Sequence, residues 1–248
     1  MPNWCMNNLT ITCSKEHKKE LQSFKEAASN MEVVKKEDLE NERKLWLKER
    51  GEKYRKDGRL ADWVEHNTMP IKDFCVKVLG WQKMKNDDMQ KGSSHLSMQK
   101  LLPCPEELNV TSPPRAEKGE SEKEFQARQK RNMEQYGATN WYDWNCKMWG
   151  TKWDVTADIH NETETELGYA FDSAWSPPVL FIMAMSNKYP NLKFSLEYDE
   201  PGMCFRGTFT ADNGEFDDNH EDGYTPTCNE CEEEYDDDGL CSCERDEE

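Results

Sequence analysis

Leu192-Lys-Phe-Ser-Leu-Glu-Tyr-Asp-Glu-Pro-Gly-Met-Cys-Phe-Arg-Gly-Thr-Phe-Thr210 reads as strand, turn and strand. Residues 192–198 and 203–210 are the strands, and Asp-Glu-Pro-Gly between them is a strong turn signal. Upstream, Pro177 to Tyr189 predicts an apolar helix with proline in its first turn, where the missing N–H costs nothing. Gly168 to Ala174 and Trp153 to His160 predict two more strands, and Asn8 to Cys13 alternates with the period of a half-buried one. Lys15 to Ala28 predicts a helix with Leu21, Phe24 and Ala28 on one face. The order is then β, α, a long insertion, ββ, α, ββ. That is an α+β protein on the ferredoxin-like plan, an antiparallel sheet with helices on one face and one extra strand.

The remaining segments are of a different kind. From Val33 to Met98 the chain is Lys- and Glu-rich, with Leu39, Trp46, Tyr54 and Trp63 as apolar points on two or three amphipathic helices broken near Gly51 and Gly58. Residues 85–97 predict a loop. Ser121 with Glu124 fits a capping box that opens a helix running to Tyr136. The predicted organisation is a discontinuous domain over 1–30 and 99–211, a helical insertion over 31–98, and an acidic, Cys-bearing tail over 212–248.

Charge singles out that tail. The chain carries 32 Lys and Arg against 50 Asp and Glu, a net −18. Residues 212–248 hold seventeen acidic residues and one basic residue, so −16 of the total sits there and −2 in the rest. Such a tail repels phosphate backbones, which bind by counterion release to clustered Lys and Arg. A basic surface on a host or defence protein is the better electrostatic match. The candidate partner-binding residues are Asp217, Asp218, Glu221, Asp222, Glu232, Glu233, Glu234, Asp236, Asp237 and Asp238. The plainer alternative is a tail that only keeps the chain soluble. Neither an export signal nor an apolar run long enough for a bilayer is visible, so the expected location is the cytoplasm.

Cys228-x-x-Cys231 and Cys241-x-Cys243 lie nine residues apart. Two close pairs on two turns can supply four thiolates at about 2.3 Å to a tetrahedral Zn²⁺, a structural site with no open position. The surrounding carboxylates raise the thiol pKa values and work against it. A calcium loop starting at Asp218 would need a bidentate ligand where Asn229 stands, so calcium is a poor fit. The aromatic block from Trp141 to Trp153 contains candidate surface aromatics, Trp141, Trp144 and Trp149. Their near-helical spacing fits core better than a stacking platform, and Trp175 is expected to pack. There is no P-loop, no nucleophile elbow and no His-Glu-x-x-His, and the five histidines are scattered. No catalytic residues are assigned.

Three stretches resemble one family. They are Met1 to Ile11 (Met-Pro-Asn-Trp-Cys-Met-Asn-Asn-Leu-Thr-Ile), Asn140 to Val155 with its Trp-Gly-Thr-Lys-Trp-Asp-Val ending, and Phe171-Asp-Ser-Ala-Trp-Ser-Pro-Pro178 with Phe205-Arg-Gly207. They are similar to YubB ferredoxin-like domain proteins of bacteriophages and plasmids. The resemblance covers about 1–13 and 101–215 and implies a fold and a mobile-element setting, with no reaction attached. The expectation is therefore an accessory protein that binds a host or defence protein in the bacterial cytoplasm, in anti-defence or host takeover. The alternatives are nucleic-acid or nucleotide binding on the sheet, and an enzyme whose site only the fold could reveal.

Overall fold

The computed structural model describes residues 3–84, 89–92, 94–109 and 119–225. Cys228, Cys231, Cys241 and Cys243 lie outside the described residues, as do Glu232, Glu233, Glu234, Asp236, Asp237 and Asp238. In chain order the elements are β1 Trp4–Cys13, α1 Lys18–Ala28, β2 Glu32–Val34, α2 Leu39–Lys56, α3 Leu60–Thr68, α4 Ile71–Lys77, β3 Gln82–Lys83, β4 Met89–Lys91 and α5 Met98–Leu101. There follow α6 Glu106–Asn109, α7 Glu122–Tyr136, α8 Trp141–Met148, β5 Ala157–Glu162, β6 Glu166–Ala174, α9 Val179–Lys188, β7 Leu192–Glu200, β8 Phe205–Asp212 and β9 Glu215–Asp222. The chain forms two compact units, Met1–Ser29 with His95–Glu248, and Asn30–Ser94.

In the larger unit six strands pair in the order β5-β6-β1-β7-β8-β9, every neighbour antiparallel. The first four are the ferredoxin-like arrangement, with β1 slotted between the two strands that α9 connects. Leu9 stands opposite both Tyr169 and Leu196, which pins the register in the middle of the core. One face of β1 and β7 buries Cys5, Leu9, Ile11, Leu192, Phe194 and Leu196. Leu21, Phe24 and Ala28 of α1 and Phe181, Ile182 and Met185 of α9 close over them. Phe24 meets Tyr189 and Phe194 edge-on at 5.2 and 5.8 Å. Burying such a ring stabilises by about 1.5–3 kcal/mol.

The sheet is one strand wider than the sequence predicts. The hairpin β8-β9 turns at Asn213-Gly214, both at positive φ (48° and 81°), as a type I′ turn requires. β9 is hidden in the sequence because five of its eight residues are Asp or Glu, which strands disfavour. The boundary placed at residue 212 is thus corrected: Asp217, Asp218, Glu221 and Asp222 belong to the sheet and not to a separate tail. Gly207 makes the addition possible. Tyr198 reaches across it to β9, and a Cβ there would lie 2.4 Å from the Tyr198 hydroxyl and 2.6 Å from the Asn219 carbonyl.

A second correction concerns the strand expected from Trp153. It begins at Ala157, and Asp154 instead turns to the start of α5, whose N-cap is Ser97. Its carboxylate accepts from Ser97 Oγ and the Met98 N–H, both at 2.6 Å, at the start of α5. The capping box of Ser121 and Glu124 is present as expected at the start of α7, and Gly137 ends that helix in the left-handed region.

In the smaller unit β2, β4 and β3 form an antiparallel sheet in that order, alongside α2, α3 and α4. Val34, Leu39, Phe74, Cys75 and Met89 are its buried centre, with Trp46 and Trp81 packed against them. Within the predicted loop 85–97, Met89–Lys91 form β4 instead, with Met89 buried.

Candidate functional site

Because α1 and α9 cover only one side of the sheet, strand alternation sends every other side chain of the large unit to an open face. On β1 these are Trp4, Met6 and Asn8; on β7, Glu197 and Asp199; on β8, Arg206 and Thr208. Register carries the rows onward. Met6, Asp199, Arg206 and Glu221 form one row, and Asn8, Glu197, Thr208 and Asn219 the next. These two rows line an open groove of about 800 Å³.

The charge of this face is lopsided. Among the described residues the Lys and Arg carried by its strands are engaged: Arg206 Nε donates to Glu221 at 2.8 Å, and Lys193 pairs with Asp212. The bond to Glu221 raises the Arg206 pKa, so its charge is fixed. Asp158 on β5, Asp172 on β6, Glu197 on β7 and Asp217 on β9 are exposed and take part in no ion pair among the described residues. Asp199 accepts from the Tyr224 hydroxyl, while the Arg206 guanidinium lies 4.6 Å over the Tyr224 ring. The face therefore presents carboxylates without cations to balance them.

On the other side β9 is fastened by a polar chain. The Tyr198 hydroxyl lies 2.9 Å from both Asp218 Oδ1, to which it donates, and His220 Nδ1. His220 Nε2 reaches Asp222 Oδ1 at 2.9 Å. Burial, and then the bond to Asp218, pushes the Tyr198 pKa up, so the hydroxyl stays a donor. The neighbouring Cys5 thiol is pushed up to about 12, chiefly by burial, and is uncharged at neutral pH. The arrangement anchors a strand and contains no activated nucleophile. Among the described residues no group of three or more His, Cys, Asp or Glu is placed to hold a metal.

The aromatic block divides differently from the candidate set. Trp144 and Trp149, candidate surface aromatics whose spacing fits core better, lie in the core and not on the surface: they are 6% and 2% exposed and meet edge-on at 5.7 Å. The Trp149 indole N–H donates to the Leu102 carbonyl at 2.9 Å, which satisfies its one polar atom. Trp141 is half-buried against the same core. The exposed rings are others. Trp4 and Trp175 are each 48% exposed, and Trp153 lies 6.2 Å from Trp4 with the Lys152 ammonium 4.3 Å over its ring. Trp175, expected to pack, sits at φ 74°, a costly backbone for a bulky residue. The alternation of residues 4–8 could have pointed to Trp4; nothing local signals Trp175. Of the predicted partner-binding residues, the fold brings Asp217 and Glu221 to the open face and Asp218 and Asp222 to the reverse side of β9.

In a comparison with known proteins, residues 148–239 match the family model described as the ferredoxin-like domain in Api92-like protein. A solved structure, protein Api92 from Yersinia pseudotuberculosis, aligns over 91% of this chain and 100% of its own, with 14% identity and a TM-score of 0.42. None of the curated proteins matches the chain. The matched segment contains β5, β6, α9, β7, β8 and β9, and so reaches the acidic hairpin strand. No helix among the described residues is long and apolar enough to cross a membrane.

Proposed function

We propose that this protein works by binding and not by catalysis, and that it holds a basic protein surface against the open face of its sheet. The observation that carries this is the set of exposed carboxylates Asp158, Asp172, Glu197 and Asp217, unpaired among the described residues while Arg206 and Lys193 are engaged. Complementary charge steers encounter and suppresses wrong partners. The same imbalance disfavours the nucleic-acid alternative, which asks this face for unengaged Lys and Arg. The likeness of Met1–Ile11, Asn140–Val155 and Phe171–Pro178 to YubB-type proteins supports a phage or plasmid setting. The partner is then a host or defence protein in the bacterial cytoplasm, and the role is anti-defence or host takeover. Glu232, Glu233, Glu234, Asp236, Asp237 and Asp238 add charge of the same sign.

The test compares the full chain with the triple variant Asp172→Lys, Glu197→Lys and Asp217→Lys in pull-downs from bacterial lysate, read by mass spectrometry. A partner held by the full chain, lost by the variant and released at about 0.5 M salt supports the proposal, since screening shortens the Debye length to a few ångströms. Retention by the variant at every salt concentration overturns it. For Cys228, Cys231, Cys241 and Cys243 we propose one structural zinc. Metal analysis after native purification should find about one equivalent, and under half an equivalent removes it.

A further inference from the structure

The two edges of the six-stranded sheet are not alike. At the β5 edge the Ala157 carbonyl already accepts the His95 N–H at 2.9 Å, so that margin is partly closed by the chain itself. At the other edge β9 pairs with β8 from Glu215 to Asp222, and among the described residues no strand lies on its outer side. An eight-residue strand offers about 26 Å of ladder, and outward N–H and C=O groups paired with no other described strand can template another chain.

We propose that β9 takes an extended, Lys- or Arg-bearing segment of the protein partner as a seventh strand. This rests on the binding reading above and names the element through which the partner is held. The occupant follows from charge. Asp217 and Glu221 project to the open face of β9, and Asp218 and Asp222 to the reverse side. An added strand sets its residues about 4.5–5.5 Å from those opposite, on alternating faces. Cations on either face of the incoming strand therefore meet carboxylates. An apolar segment would strip water from those carboxylates without replacing it. A second copy of β9 would set Asp and Glu against Asp and Glu. The chain's own residues 226–248 carry eleven acidic residues against Arg245 and are repelled in the same way. The competing explanation is that the charges only keep β9 from pairing at all, as edge charges commonly do.

The two explanations separate cleanly. Two fluorescent peptides of identical alternating Lys and Thr sequence are made, one with every backbone N–H intact and the other N-methylated at both the Lys and the Thr positions. In either strand orientation only alternate N–H groups point at the neighbour. The methylated peptide has no N–H to offer whichever edge it turns to β9, so strand addition to the full-length chain requires it to bind at least about tenfold more weakly than the unmethylated one by anisotropy. The unmethylated peptide must also lose affinity for the Glu215→Lys, Asp217→Lys variant, which leaves the Tyr198 bond to Asp218 in place. Equal binding of both peptides overturns strand addition and leaves electrostatic binding on the open face standing. Binding of neither peptide also overturns strand addition, and the fate of the binding reading is then decided by the open-face variant and its partner. An affinity gap that the β9 variant leaves untouched places the added strand elsewhere and overturns the assignment to β9.

Discussion

Gly207 and Trp149 show how much single positions decide. Gly207 is the gap through which Tyr198 reaches Asp218 and His220. Gly207→Ala puts a methyl within 2.4 Å of the hydroxyl and 2.6 Å of a backbone oxygen, and neither can move without loosening β9. The expected loss is about 1–3 kcal/mol by denaturant melting, with hydrogen exchange speeding up first in β9. An unchanged midpoint would mean that Tyr198 does not lie across this position. The resemblance includes Gly207 in Phe205-Arg-Gly207, but nothing local gives the reason, since its partner sits nine residues earlier. Trp149 was legible as core from its near-helical spacing with Trp141 and Trp144. Its hydrogen bond to the Leu102 carbonyl, 47 residues away, was not.

The strands and helices of the larger unit follow from short-range rules where those rules have one outcome. The apolar alternation of β7, the proline-led start of α9 and the Ser121 capping box each leave the chain little choice. β9 was not legible because Asp and Glu in a row normally stay solvated, and only the Asn213-Gly214 turn and the pairing with β8 pull them into a sheet. A consequence follows for truncations. A chain ending at Ala211 loses β9 and its stacking of Phe216 on Phe209 at 6.1 Å, whereas one ending at Thr225 keeps both. The shorter chain should melt about 4–8 °C lower, corresponding to roughly 2 kcal/mol in a protein of this size. Equal melting temperatures would show that the strand adds nothing to stability.

For the whole molecule the question is where the charge sits. The net −18 predicts a salt-sensitive association. The affinity of the captured partner should fall by at least about tenfold between 50 and 300 mM salt in titration calorimetry, and the charge-reversed open face should flatten that slope. A slope unaltered by the variant would move the contact to residues 226–248. Composition by itself determined the excess of acidic residues and their concentration near the C-terminus, and hydrophobic periodicity determined the ferredoxin-like order of strands and helices. Both are sums or patterns over neighbouring residues, so they survive without knowledge of the fold. Only the tertiary structure decided which carboxylates share a surface. Asp172, Glu197 and Asp217 come from three strands spread over 46 positions, and antiparallel pairing sets their side chains on one face. Local sequence carries no information about which strand becomes whose neighbour.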